Sequence, residues 1–241
     1  MSGRLTGVGV GPGDPDLMTL KAVRIIAAAD VVAYFAKAGS PSHARAIAAG
    51  HMRPGVTEEA LGYPVTTEIA RKAPEYGAAI ESFYAASAAR LAAHLDAGRS
   101  VAVLSEGDPF FYGSYMHLHV RLAARYPTEV IPGVTSIAGC AAIAGVPLAQ
   151  GDDVLAIVPG TLSEPQLIER FMAGEAFAVI KLGRNLGKVR RALAASGRIA
   201  GALYVERGTM ADGRVLKLAD KPDDTAPYFA VILVPGWESR P

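Results

Sequence analysis

Three short segments carry the side chains that could do chemistry. "GVGVGPGDPDLMTLKA" runs from Gly7 to Ala22, "LSEGDPFFYGSYMHLH" from Leu104 to His119, and "IPGVTS" from Ile131 to Ser136. Each starts in or after an apolar, β-branched run and leads into a stretch of helical character. The first has the strand–turn–helix outline of a phosphate loop, but its glycine frame does not fit. A dinucleotide fingerprint needs Gly-x-Gly-x-x-Gly, and the last position is Pro12 counted from Gly7 and Asp14 counted from Gly9. Pro12 and Pro15 remove backbone N–H donors, and Asp14 and Asp16 set carboxylates where a phosphate would sit. The aspartates read as helix caps. "GRNLGKV", from Gly183 to Val189, lacks the spacing of an ATPase loop and has no hydroxyl after Lys188. By itself the first segment is compatible with a plain tight turn, or with a loop bordering a cationic or neutral ligand.

The second segment repeats Gly-Asp-Pro directly after a strand and adds Glu106 and Asp108. The third offers Thr135 and Ser136, which can cap a helix or bind a ligand. Turn chemistry explains each alone. Together they point to one crevice at the C-terminal ends of parallel strands, where open α/β sheets bind ligands. Other residues add little. His117 and His119 are two apart on a predicted helix and point to different sides, and His43, His51 and His94 are scattered, so no metal site is expected. Cys140 is the single cysteine and reads as a small core residue. Lys181, Arg184, Lys188, Arg190 and Arg191 could bind an anion, although a solvated helix face explains the last three.

These loops need strands and helices to hold them. Strands are predicted at 5–10, 31–34, 101–105, 129–131, 154–158, 177–182, 202–206 and 228–234. Helices are predicted at 16–29, 74–97, 114–125, 135–144, 164–173 and 186–195. The alternation implies an α/β protein. The polar run Gln150-Gly151-Asp152-Asp153 marks a boundary, so two α/β domains are expected, 1–149 and 150–241, with a cleft between them. Asp212-Gly213 signals a hairpin in the second. The uncharged stretch from Val130 to Gln150 is bracketed by Pro132 and Pro147. It reads as turn, buried small-residue helix and turn, not as a membrane span.

The chain has 241 residues, about half of them apolar, and a formal net charge of +1. That balance argues against a broad nucleic-acid-binding face while leaving room for a local basic pocket. No secretory pattern opens the chain, and a soluble, cytoplasmic protein is expected.

Taken in order, the three segments and "LYVERGT" resemble the tetrapyrrole methylases, over nearly the whole chain. The resemblance implies two α/β domains with the active site between them. It implies S-adenosylmethionine as methyl donor, S-adenosylhomocysteine as product, and a homodimer. Finer pieces, "DVVAYFAKAGSPSHARAIA", "LGYPVTTE", "EGDPFFYGSYMHLHVRL", "VPGTL" with "IKLGRNLGKVR", and "APYFAVILVP", are similar to the members that methylate the C20 meso carbon of precorrin-2 in cobalamin synthesis. The family's cofactor positions fall on Pro12, Glu106, Gly107, Asp108, Tyr112, Thr135, Ser136, Leu182, Arg207 and Ala230.

The expected reaction is in-line displacement by a nucleophilic carbon, giving precorrin-3A. The reduced macrocycle supplies an enamine-like carbon, so alignment is the protein's main task. Tyr112 and Glu106 are candidates for a base by location alone. The many substrate carboxylates call for cations, and Arg45, Lys181, Arg184 and Arg71 are the candidates. Alternatives are the cobalt-containing substrate, another methylase of the same fold, and a non-catalytic tetrapyrrole carrier. A nicotinamide oxidoreductase fails on the glycine spacing.

Overall fold

The computed structural model describes residues 2–37, 39–64 and 74–236. The chain divides into two units, Met1–Thr135 and Ser136–Pro241. The first contains β1 (Leu5–Gly9), α1 (Leu20–Ala28), β2 (Val31–Lys37), α2 (His43–Ala48), β3 (Thr57–Tyr63), α3 (Pro74–Asp96), β4 (Val101–Ser105), α4 (Tyr115–Leu122) and β5 (Thr128–Ile131). Its strands form one parallel sheet in the order β3-β2-β4-β1-β5. The central strands β1 and β4 are buried along their whole length, as a parallel sheet covered on both faces requires.

Alternation along β4 sorts its side chains between two cores. Val101 and Val103 pack with Leu91, Leu95, Leu118 and Leu122 of α3 and α4. Ala102 and Leu104 pack with Ile26 of α1 and Ile47 of α2. Adjacent strands β1 and β4 therefore send their connections to opposite faces, β1 into α1 and β4 into α4. That divergence is the topological switch point of an open α/β sheet, the place where such sheets ordinarily bind ligands.

The second unit contains α5 (Ser136–Ala144), β6 (Leu155–Pro159), α6 (Glu164–Ala173), β7 (Ala176–Ile180), α7 (Leu186–Ala195), β8 (Leu203–Glu206), β9 (Arg214–Lys217) and β10 (Ala230–Val234). The sheet is mixed, in the order β6-β7-β10-β8-β9, with β6 parallel to β7 and β10 antiparallel to both neighbours. One face packs on α6 and α7 around Leu167, Phe171, Leu186 and Val189, with the Phe171 and Phe177 rings edge-on at 5.3 Å. On the other side α5 packs on β10 and β8. Cys140 is buried there, and burial pushes its thiol up to about 11, which makes it an inert core residue.

The α/β class and the antiparallel β8–β9 hairpin across Asp212-Gly213 agree with the sequence reading. Other details differ. Strand β3 and helix α2 were not foreseen: only Leu61 of β3 is buried, so an edge strand with Glu58 and Glu59 shows no alternating apolar face. The first helix starts at Leu20, not Asp16. A short 3-10 turn at Pro15–Leu17 comes first, and Thr19 caps α1 by accepting the Ala22 N–H at 3.1 Å. Helix α5 buries one side only, with Ile137, Gly139 and Cys140 inside and Ile143 53% exposed. Among the described residues no helix is long and apolar enough to cross a membrane.

Candidate active site

Three strand ends of the first unit meet backbone to backbone. Gly11 and Gly107 form a two-way bridge: the Gly107 N–H donates to Gly11 O at 2.8 Å, and the Gly11 N–H donates to Gly107 O at 3.4 Å. A Cβ on Gly9 would sit 2.6 Å from Gly133 N and 2.7 Å from Gly107 O. A Cβ on Gly133 would sit 2.0 Å from Gly107 O. Glycine is required here for close approach. Gly9 and Gly133 were not among the predicted site residues. Their signal was present in the sequence: each lies at or just past a strand end, beside the residues that were chosen.

The acidic residues of these loops are engaged by backbone donors. Asp108 Oδ2 accepts the Gly133 N–H at 3.1 Å and Oδ1 accepts the Phe110 N–H at 2.9 Å, so one carboxylate fastens the second loop to the third. Glu106 Oε1 accepts the Ala44 N–H at 3.0 Å, at the start of α2. Asp14 Oδ1 accepts the Asp16 N–H at 2.9 Å. The predicted capping thus falls to Asp14, while Asp16 supplies the N–H. Pro12 is half-buried between these anchors, and Thr135 and Ser136 follow at the end of the third loop.

Tyr112 is 48% exposed and stands in the left-handed region with φ 55°. Among the described residues the only other non-glycine positions with positive φ are Lys181 at 58° and Arg207 at 49°. All three are candidate site residues. Such conformations cost of order 1–3 kcal/mol each and cluster where function needs them.

Lys181 and Arg207 follow the C-terminal ends of β7 and β8, which run in the same direction, and Ala230 opens β10 between them. The Arg207 N–H donates to Phe229 O at 2.8 Å, and its guanidinium pairs with Asp212. Leu182 and Ala230 are buried, Leu182 completely, so any ligand there meets backbone and not side chain. Arg184 is exposed on the 3-10 turn that precedes α7 and makes no ion pair among the described residues. Of the neighbouring basic residues, Arg190 pairs with Asp224 and Arg191 with Glu164.

Two candidates remain. Arg45 is held by Glu58, Nε to Oε2 at 3.0 Å and Nη2 to Oε1 at 2.8 Å, and the Tyr34 hydroxyl donates to the same carboxylate at 2.8 Å. The Arg45 guanidinium holds the Glu58 carboxyl below its ordinary value. Arg71 lies outside the described residues.

A family model described as Tetrapyrrole (Corrin/Porphyrin) Methylases matches residues 4–221. The chain belongs to this family. The tetrapyrrole methylase is 59% identical over 239 residues to the precorrin-2 C(20)-methyltransferase of Sinorhizobium sp, a match covering 99% of this chain and 98% of that one. It is 28% identical over 242 residues to the cobalt-precorrin-2 C(20)-methyltransferase of Salmonella typhimurium, covering 99% of each. The crystal structure of the uroporphyrin-III C-methyl transferase from Thermus thermophilus complexed with S-adenyl homocysteine matches it with a TM-score of 0.67 at 28% identity, over 96% of this chain and 97% of that one.

As a tetrapyrrole methylase the chain is an S-adenosylmethionine-dependent methyltransferase. The strand-end loops suit that donor. The glycines pack the three loop backbones directly against one another, with no room for a Cβ at Gly9 or Gly133. Prolines and carboxylates take the place of the free N–H groups a phosphate needs, and a sulfonium cation needs none.

Proposed function

We propose that this methylase transfers the methyl group of S-adenosylmethionine to the C20 meso carbon of precorrin-2, giving precorrin-3A in cobalamin synthesis. The observation that carries the reading is the 59% identity, over essentially both chains, to the Sinorhizobium protein of that name. The donor, when bound, supplies an electrophilic methyl on a positively charged sulfur. The chain's own contribution is alignment. The loops joined at Gly9, Gly107 and Gly133 are rigid because backbone atoms touch and Asp108 ties two of them together. Rigid placement of the reacting groups is worth up to roughly 7–11 kcal/mol in well-oriented systems.

The proposed donor contacts are Pro12, Glu106, Gly107, Asp108, Tyr112, Thr135 and Ser136, with Leu182, Arg207 and Ala230 in the second unit. Of the proposed substrate cations, Lys181 and Arg184 stand at the end of β7. Arg184, exposed and without an ion pair among the described residues, is the best placed to grip a carboxylate. Arg45 would first have to leave Glu58. The reading extends to a homodimer, carried by the family resemblance alone, and to a cytoplasmic protein.

The test is anaerobic incubation with labelled S-adenosylmethionine and precorrin-2, with mass spectrometry and NMR of the product. A new methyl at C20 is expected. A methyl on another carbon, or binding without transfer, would refute the reading. A parallel reaction with cobalt-precorrin-2 decides the second reading, which the Salmonella relative favours.

A further inference from the structure

Helix α4 begins with an anomaly. Ser114 occupies its N-cap position with φ −73° and ψ −22°, yet its side chain makes no capping bond. A serine at this position ordinarily accepts an N–H of the first turn and steadies the helix. Here the Ser114 hydroxyl is hydrogen-bonded to the hydroxyl of Tyr63, 51 residues earlier, at the end of edge strand β3. The Tyr63 hydroxyl also lies 3.3 Å from that of Tyr84. The Tyr63 ring is fixed by the Phe35 ring of β2, stacked at 5.7 Å and 23°, and by the Phe83 ring of α3 at 4.7 Å. Tyr63, Phe35 and Ser114 come from three of the segments that carry the C20-like resemblance, and the chemistry described so far uses none of them.

Ser114 is the exit of the loop that carries Tyr112. The entry is held by Asp108, through Phe110 N–H and Gly133 N–H. Between the two ends the loop folds back on itself, so that a Cβ on Gly113 would sit 2.7 Å from Pro109 O. Tyr112 stands in the left-handed region at φ 55°. A tyrosine persists there only when its surroundings over-determine the backbone. Asp108 supplies that restraint on one side only.

We propose that Tyr63 is a positioning residue for the methyl-donor loop, acting through Ser114 to hold the exit of residues 109–113 and so the conformation of Tyr112. The proposal rests on the reading that this loop contacts S-adenosylmethionine. Tyr63 reaches across the sheet from its edge, so the aromatic cluster at the ends of β2 and β3 sets the shape of the donor site without touching the donor. The diverted serine follows: its hydroxyl serves the loop instead of the helix.

The test uses Tyr63→Phe, Ser114→Ala, Ser114→Thr and the double variant Tyr63→Phe/Ser114→Ala. Calorimetric titration with S-adenosylhomocysteine gives Kd, and amide exchange of the ligand-free protein reports on residues 109–114. Loss of one hydrogen bond that orders the site is expected to raise Kd about 5- to 10-fold in Tyr63→Phe and in Ser114→Ala. The double variant is expected to be no worse than the weaker single, and Ser114→Thr, which keeps the hydroxyl, to bind like wild type. Exchange across 109–114 should quicken in both single variants, while the unfolding temperature of Ser114→Ala stays close to wild type. Wild-type affinity in Tyr63→Phe, or losses that multiply in the double variant, would overturn the proposal. No binding by wild type would overturn the reading beneath it. The exchange measurement needs no ligand and decides the proposal in that event too, unchanged exchange in both variants refuting it.

Discussion

Adding one methyl group at Gly133 should disable the site. The new Cβ would lie 2.0 Å from Gly107 O and 2.9 Å from Gly9 Cα. Ordinary contact begins at about 3.4 Å, so the carbonyl must retreat by roughly 1.4 Å. It cannot retreat freely, because Gly107 O accepts the Gly11 N–H. Nor can Gly133 move freely, because its N–H is held by Asp108. Overpacking costs about 1–3 kcal/mol, and a lost hydrogen bond adds about 1. Together they should lower the unfolding temperature by roughly 5–15 °C for a chain of this size. A displacement of about 1 Å at reacting groups costs on the order of a hundredfold in rate. Gly133→Ala is therefore expected to fold, to melt early, and to transfer labelled methyl from S-adenosylmethionine about a hundred times more slowly. Gly77→Ala is the control. Its Cβ meets nothing within 4 Å on the exposed side of α3, so it should gain up to about 1 kcal/mol of stability and leave the rate alone. A Gly133→Ala enzyme with wild-type rate and melting temperature would refute the argument that these strand ends must touch.

Three other outcomes follow from the same loops and their supports. Asp108→Asn keeps the shape but can accept only one of the two N–H groups, so affinity for S-adenosylhomocysteine by calorimetry should fall about tenfold, and further in Asp108→Ala. Glu106→Gln keeps an acceptor for Ala44 N–H and removes the charge, so cationic S-adenosylmethionine should lose more affinity than neutral-sulfur S-adenosylhomocysteine, by a factor of a few; equal losses would make Glu106 a cap and nothing more. The Ser100 N–H and hydroxyl hold Asp30 below its usual value, and Arg45 does the same for Glu58. A depressed folded-state pKa means stability that is complete above the unfolded value near 4 and is lost as pH falls through the folded one. Melting temperatures should therefore be flat above about pH 5 and drop below about pH 4, less steeply in Asp30→Asn.

The loops were legible because their residues are restrictive. Few backbones need Gly-x-Gly-Pro-Gly-Asp-Pro, and a repeated Gly-Asp-Pro after a second strand pointed to the same sheet edge. What escaped depended on tertiary partners. Arg45 reads as an available cation until β3 is recognised, because Glu58, its counter-ion, sits in a strand with only Leu61 buried. Missing that edge strand meant missing the ion pair. The resemblance put Leu182 and Ala230 among the expected cofactor positions, yet only the sheet shows that their side chains are buried and their backbone is what remains to offer. Lys181 and Arg207 were chosen for charge or motif, and no side-chain pattern predicts that both stand at positive φ.

The acids of the first unit acquire a different meaning once their partners are known. A parallel sheet aims helix N-termini at its C-terminal edge, and unsatisfied N–H groups there attract anions. In this chain the acids meet those groups from within. Asp14 takes the N–H of Asp16, Glu106 takes that of Ala44 at the head of α2, and Asp108 takes those of Phe110 and Gly133. Pro12 and Pro15 have none to give. The edge that would bind phosphate in a nucleotide fold thereby carries fixed negative charge, and these four N–H groups are already taken. A ligand with a positive centre gains from such a field, and one with a pyrophosphate is repelled. The same bonds hold the loops in place, so in the proposed donor-binding role these carboxylates would set both the charge and the geometry of the site.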